Sequence, residues 1–394
     1  MTLLSTALLL PALIHAADWP AFRGPEGNGY SPEKNVPTQL KVDWKSPLPG
    51  RGLSSPIILG DKVFVTASSG VLQNRLHVIC FSAKKGSKIW ERQFWSTGRT
   101  MAHKKTNVAA PTPVSDGKNI YALFSCNDLV CLDLNGNLQW LRGLTNDYPN
   151  ASNSLGMSSS LLVHQDTLIV QIENDSQSLS LGVDIANGVN RWKLSRPKSA
   201  NWTTANLLPG AGKGGTTLVA LQSSKGIDAI DPKSGKTQWS YANGASTIPS
   251  STRVGNLLLV PSNGLTALLP REGGNSYSEV WNVSKLRPKT ASPTFLKDQI
   301  FNVNGAGVLT CASTENGSTK WQLRLKGPFS ASPVAAGSHL YYFNEAGLGQ
   351  VIETTSTEGK IVNTIALNET ILGTPSISNR AIYVRSDNTL FKLN

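Results

Sequence analysis

The sequence predicts an all-β chain folded as an eight-bladed β-propeller, with four-stranded antiparallel blades and an N-terminal strand closing the last one. Three observations carry this expectation. Tryptophans recur at near-constant spacing, a turn motif precedes most of them at a fixed offset, and a hydroxyl residue followed by a β-rich apolar run recurs eight times.

Trp44, Trp90, Trp140, Trp192, Trp239, Trp281 and Trp321 stand 46, 50, 52, 47, 42 and 40 residues apart. A period of that size matches propeller blades of about four strands. Ala229-Ile230-Asp231 followed by Gly235 and Trp239 gives the motif: small residue, x, Asp, three residues, Gly, three residues, Trp. Asp bonds nearby backbone amides and Gly takes positive φ, so the pair specifies a hairpin turn. The Trp ending the next strand is the expected wedge between blades. Cys80, Cys131 and Cys311 occupy the small position of their blades and read as small hydrophobes rather than a disulfide framework.

Upstream of each hairpin lies a hydroxyl: Ser55, Thr112, Ser159, Thr204, Ser250, Ser292, Ser332 and Thr374. They are expected to ring the axis on the innermost strands. A strand-like run follows each, from Val63-Phe64-Val65 in the first unit to Ile382-Tyr383-Val384 in the eighth. The seventh unit shows Ile365 where Trp is expected. The eighth stops at Asn394, one strand short, and the strand around Trp44 has no blade of its own. Closure of the eighth blade by Trp44 and its neighbours resolves both facts and removes an open edge.

Residues 1–16 read as a signal peptide, because Leu3 to Ile14 is almost wholly apolar and small residues follow at Ala16 and Ala17. Residues 17–43 are then an extension and 44–394 the propeller. No later run is long enough for a transmembrane helix. The expected location is periplasmic or secreted. The net charge of +12 suits polyanionic neighbours, and export argues against nucleic acid.

The repeat resembles the PQQ-like β-propeller repeat, found in quinoprotein alcohol dehydrogenases and BamB-like outer-membrane assembly factors. Asp18-Trp19-Pro20-Ala21-Phe22-Arg23-Gly24-Pro25 and His103-Lys104-Lys105-Thr106-Asn107 are similar to a branch of secreted bacterial members. The quinoprotein resemblance implies PQQ with calcium in the central channel, with Trp202 as the first candidate stacking platform. The adjacent Cys–Cys pair of those enzymes is missing, so no cofactor is expected. The first cysteine is Cys80, so a lipid anchor on a cysteine after the leader is not expected either.

Gly210-Ala211-Gly212-Lys213-Gly214-Gly215 matches GxGxxG, but a strand follows where a dinucleotide site needs a helix. It reads as a loop. HExxH and GxSxG are missing, and the histidines stand isolated in sequence. Loop length is the sharper clue. From outer-strand Trp to the next hydroxyl takes 11 residues in four blades, 22 after Trp90 and 19 after Trp140. Such insertions are where function concentrates. The first carries Trp95, Arg99, His103, Lys104, Lys105 and Asn107, and the second Arg142, Asp147, Tyr148 and Asn153. Aromatic and cationic groups together suit a protein, a glycan or an anionic envelope polymer. The expectation is a monomeric, non-catalytic binding or scaffold protein of the cell envelope. A PQQ-dependent oxidoreductase is the alternative, and β-augmentation of a partner a third reading.

Overall fold

A computed structural model describes residues 18–152, 155–271 and 273–394. The signal peptide read at residues 1–16 and the site residue Asn153 lie outside them. Eight antiparallel sheets stand around one axis. Blade one shows the plan: Ile57–Leu59 innermost, then Lys62–Ser69, Arg75–Ser82 and Lys88–Trp95 outermost. The chain runs from each outermost strand to the innermost strand of the next blade. Those crossings and the turns between second and third strands share one end of the propeller, here called the mouth. The remaining turns form the floor.

The eighth blade is composite. Ser376–Ser378, Ala381–Arg385 and Thr389–Leu393 come from the C-terminus, and Val42–Pro47 pairs antiparallel with the last of them as its outermost strand. Trp44 faces Lys392 in that register. The ring therefore closes by joining the two chain ends.

Four of the Trp sit opposite the small residue of their own hairpin, Cys80 with Trp90, Cys131 with Trp140, Cys311 with Trp321 and Ala229 with Trp239. All four cysteines are buried and free. The indole then reaches the floor turn of the next blade. Trp44, Trp90 and Trp140 donate Nε1–H to the carbonyls of Ala83, Leu134 and Ile185 at 3.2, 3.1 and 2.9 Å. Turn glycines make room for the ring: a Cβ on Gly86 would stand 2.7 Å from Trp44, and φ there is +70°. Blade five departs from the motif at this turn. The preceding Trp239 stacks on Tyr277 at 5.2 Å, and its Nε1 has no partner among the described residues.

Blade seven corrects one sequence assignment. The register pairs Val351 with Asn363, with the bulge that immediately precedes the Trp position in other blades, so Asn363 and not Ile365 holds that place. Its neighbour, blade eight, has no turn between its third and fourth strands, because they come from opposite chain ends. Asn363 instead accepts from the Leu40 amide at 3.2 Å and donates to Gln39 Oε1 at 2.8 Å. An amide side chain thus steadies the incoming strand where an indole would have no turn to cover.

The extension does more than wrap. Trp19 forms a bridge with Ile58 of blade one, Pro20 accepts from Ser115 of blade two, and Tyr30–Ser31 pairs parallel with Val334–Ala336 of blade seven. Between these, Arg23 is 1% exposed. Its guanidinium donates to Thr252 Oγ1 at 2.9 Å, Asn28 O at 3.2 Å, Ser251 O at 3.3 Å and the Pro293 carbonyl. Burial lowers its pKa to about 9, so it stays cationic at neutral pH. The hydrogen bonds replace water around a charge that would otherwise be costly to bury. Arg23→Ala is expected to leave several of these acceptors unpaired, costing about 2 kcal/mol. It should also open residues 24–38 to protease before the propeller melts. An extension that resists cleavage until global unfolding would show that Arg23 does not hold it.

Candidate functional site

Just ahead of seven of the eight innermost strands a backbone amide donates to a hydroxyl of the next blade. The links are Ser55 to Thr112 (2.9 Å), Thr112 to Ser160 (3.0 Å), Ser160 to Thr204 (3.0 Å) and Thr204 to Ser250 (3.0 Å). They continue from Ser250 to Ser292 (2.9 Å), Ser292 to Ser332 (2.9 Å) and Ser332 to Thr374 (3.1 Å). The blade-three member is Ser160, not Ser159 as the spacing suggested; Ser159 Oγ donates instead to Asn201 O. Among the described residues the eighth junction lacks this link, and Ser55 Oγ is buried without a partner. Arg385 ties that seam, donating to Thr66 O at 2.6 Å and Ser54 Oγ at 3.3 Å.

The girdle walls a cavity of about 430 Å³ opening at the mouth. Phe22 of the extension lines it, as do Leu53, Leu155, Ile248 and Leu372 from four of the crossings. Trp202 also lines it, half-buried, with Nε1–H donated to Gly156 O at 2.9 Å and its own amide to Thr247 O. His103 and Lys105 come from the first long insertion. Calcium takes six to eight oxygen ligands, carboxylates prominent among them. Among the described residues no carboxylate lines this cavity, and no group of three or more His, Cys, Asp or Glu could hold a metal ion. The donor set does not fit a calcium-held quinone.

The two insertions meet over the mouth. The His103 amide and Thr106 Oγ1 both donate to Leu155 O. Lys105 Nζ reaches Glu345 of blade seven at 2.8 and 3.0 Å, and Ser330 Oγ donates to the same carboxylate at 2.7 Å. Lys104 is exposed, and its carbonyl accepts from Arg51. Arg99, exposed, lies against Met101 Sδ. Asn107 is buried; it accepts from Ala109 N at 2.6 Å and Ser68 Oγ at 3.1 Å and donates to Gln73 Oε1 at 2.6 Å. That arrangement anchors the loop and leaves little of Asn107 for a ligand. Arg142, Asp147 and Tyr148 lie away from the cavity, at the junction of blades two and three. Arg142 bonds Gly188 O, Asn190 Oδ1 and Asp147, while Tyr148 accepts from Asn190 at 2.6 Å. Trp95 ends the outermost strand of blade one, 64% exposed, with Arg75 stacked 4.7 Å above it.

Sequence reasoning missed a chain of three side chains in blade one. Ser69 Oγ lies 2.7 Å from His77 Nε2, and His77 Nδ1 lies 2.8 Å from Glu91 Oε1. Burial lowers the His77 pKa, outweighing the opposing effect of Glu91, so the imidazole is neutral at neutral pH. Burial alone would raise Glu91, but hydrogen bonds from Lys88, His77 and Gln93 hold it below its ordinary value. The carboxylate can only accept, so Nδ1 carries the proton and Nε2 accepts from Ser69. The cysteines show no such activation: burial pushes Cys80, Cys131 and Cys311 up to about 12.

A sequence model of the family described as outer membrane protein assembly factor BamB matches residues 38–156, 153–262 and 262–355. No curated protein sequence matches the chain. BamB from Moraxella catarrhalis superposes with a TM-score of 0.65 at 17% identity, covering 90% of this chain and 97% of that one. Quinohemoprotein alcohol dehydrogenase from Comamonas testosteroni gives 0.71 at 12% identity, with 96% and 80% covered. A europium-containing methanol dehydrogenase gives 0.72 at 11%, with 96% and 98% covered. At these identities the likenesses speak to the fold alone.

The two kinds of loop residue should behave differently on substitution. Asn107→Ala strands buried partners and is expected to cost about 2 kcal/mol. Lys105→Ala breaks an exposed pair and should change stability by less than about 1 kcal/mol. It should still speed amide exchange over residues 103–106. Chemical denaturation and hydrogen exchange read both, and equal costs for the two variants would refute this division.

Proposed function

This chain belongs to the family described as outer membrane protein assembly factor BamB, built of PQQ-like repeats, and from that premise we propose that it is an extracytoplasmic binding and scaffold protein presenting its mouth to a protein partner. The observation that carries this reading is the projection on blade one. Its second and third strands, Lys62–Ser69 and Arg75–Ser82, are each eight residues long and end in a turn at the mouth. That turn holds Val71 and Leu72, 102% and 67% exposed. Exposed Trp95 with its stacked Arg75 stands at the base of the projection, and Met101 of the adjoining insertion is also exposed. Apolar groups fully in water beside Arg and Trp have the composition of interface anchors. The described residues include no helix long and apolar enough to cross a membrane, so approach to an envelope partner would rest on this surface and on the leader read at residues 1–16.

A PQQ-dependent oxidoreductase is the competing reading, favoured by Trp202 in the cavity wall and opposed by the missing carboxylates.

A photoreactive amino acid at Leu72 is expected to crosslink a discrete partner in the native envelope. The same group at Lys84, on the floor of the same blade, should not. Equal labelling at both positions, or none at Leu72, rejects the proposed docking face. Titration with PQQ and calcium is expected to leave the melting temperature unchanged. A saturable upward shift would bring the oxidoreductase forward.

A further inference from the structure

Three rows of cross-strand partners share one face of blade one. Ser69, Arg75 and Trp95 form the row nearest the mouth, then Ala67, His77 and Gln93, then Val65, Ile79 and Glu91. Val65, Ala67 and Ile79 pack with residues of blade eight such as Ile377 and Val384, which fixes the rows beneath the outermost one. The chain from Ser69 through His77 to Glu91 descends this face diagonally, one residue per row. Its order is that of a nucleophile, a base and an acid that orients the base.

We propose that Ser69, His77 and Glu91 form an acyl-transfer site that hydrolyses short acyl esters carried on a large or polymeric alcohol. Ser69 supplies the nucleophilic oxygen, and His77 is held in the tautomer that can take its proton. Glu91 is a positioning residue, itself fixed by Lys88 Nζ at 2.6 Å and Gln93 Nε2 at 3.0 Å. Arg75 is the register partner of Ser69; its guanidinium, stacked over Trp95 and donating to Gln93 Oε1 at 3.4 Å, is the cation this row offers to the oxygen that becomes negative when the carbonyl is attacked. Exposed Trp95 offers an apolar surface for the acyl group. Ser69 is half-buried at the rim, and none of the three residues lines a cavity described above. An ester presented from outside on a carrier fits such an open face better than a small free molecule needing enclosure.

The chemistry balances with water as co-reactant. Ser69 Oγ forms a bond to the ester carbonyl carbon, and its proton passes to His77 Nε2. The carbon–oxygen bond to the carrier breaks, and the leaving alkoxide takes that proton as an alcohol. Water then attacks the acyl-serine, giving a proton to His77, which returns it to Ser69 Oγ as the free acid departs. This activity goes beyond the binding role. It uses atoms at the base of the projection, so either reading can fail alone.

The test is labelling of the full mature chain with a fluorophosphonate, with p-nitrophenyl acetate hydrolysis alongside. The expected result is a single phosphonyl adduct at Ser69 by peptide mass mapping. Ser69→Ala, at a half-buried site where folding should survive, should abolish the adduct and slow hydrolysis about 100-fold. Glu91→Gln should slow it at least about tenfold at an unchanged melting temperature, and Glu91→Asp should recover part of the rate. A merely structural Glu91 would move the melting temperature and the rate together. No adduct at Ser69, or hydrolysis indifferent to Ser69→Ala, overturns the proposal.

Discussion

The interaction on which the rest depends is the hydrogen bond from a backbone amide of one blade to the side-chain hydroxyl of the next. It recurs at seven junctions at nearly one length, 2.9 to 3.1 Å. The innermost strands are only two or three residues long, too short to hold the ring by their own ladders. The inward end of each strand would strand a buried amide without the hydroxyl, at a cost of about 1–3 kcal/mol each. Serine and threonine serve because they are small and carry an acceptor two bonds from the backbone. The same geometry lines the channel with hydroxyls, so the polarity of the cavity wall is first a consequence of how blades join.

The outer circumference has a second repeated joint, in which an indole covers the next blade's floor turn. The two joints work at opposite ends of the blade, one near the axis at the mouth and one at the rim near the floor. Together they set the angle between neighbours. Both are altered on the two sides of the composite eighth blade, where the chain ends meet. There the girdle link is replaced by Arg385, and the indole by Asn363 one junction earlier. Both replacements act through directed hydrogen bonds, which suits junctions made by segments far apart in sequence.

This division explains what could be read from the sequence. The tryptophan period and the turn motif reflect packing that depends on residue type, so blade number and closure by the strand of Trp44 were legible. The girdle was legible to within one residue. Three consecutive serines, Ser158, Ser159 and Ser160, stand where one is needed, and only the hydrogen bond to Thr112 N selects Ser160. Ile365 misled for a similar reason, since only the register, with the bulge between Ile361 and Asn363, places Asn363 at the Trp position. The insertions were visible by length. Their internal division was not, because Asn107 and Lys105 differ in burial rather than in character. The Ser69–His77–Glu91 chain was invisible, because its members are 8 and 14 residues apart and meet only through strand register.

That register also shows why blade one can carry something the others do not. In blades two to six the third strand begins three residues before the partner of the outer-strand Trp, as with Asp128 before Cys131, Leu179 before Gly182 and Gly226 before Ala229. In blade one it begins five residues before Cys80, at Arg75. The additional pair creates the row of Ser69, Arg75 and Trp95, above the level at which the other hairpins turn. His77 occupies the level of Gly226, where blade four has already reached its turn. Neither joint between blades uses these positions, because the girdle lies at the inner strand and the indole contacts lie at the floor. Side chains there are free of the constraints that hold the ring. The projecting turn at Val71 and Leu72 and the relay of Ser69, His77 and Glu91 are two products of the same two-residue extension. Selection can act on this corner without changing how the propeller closes.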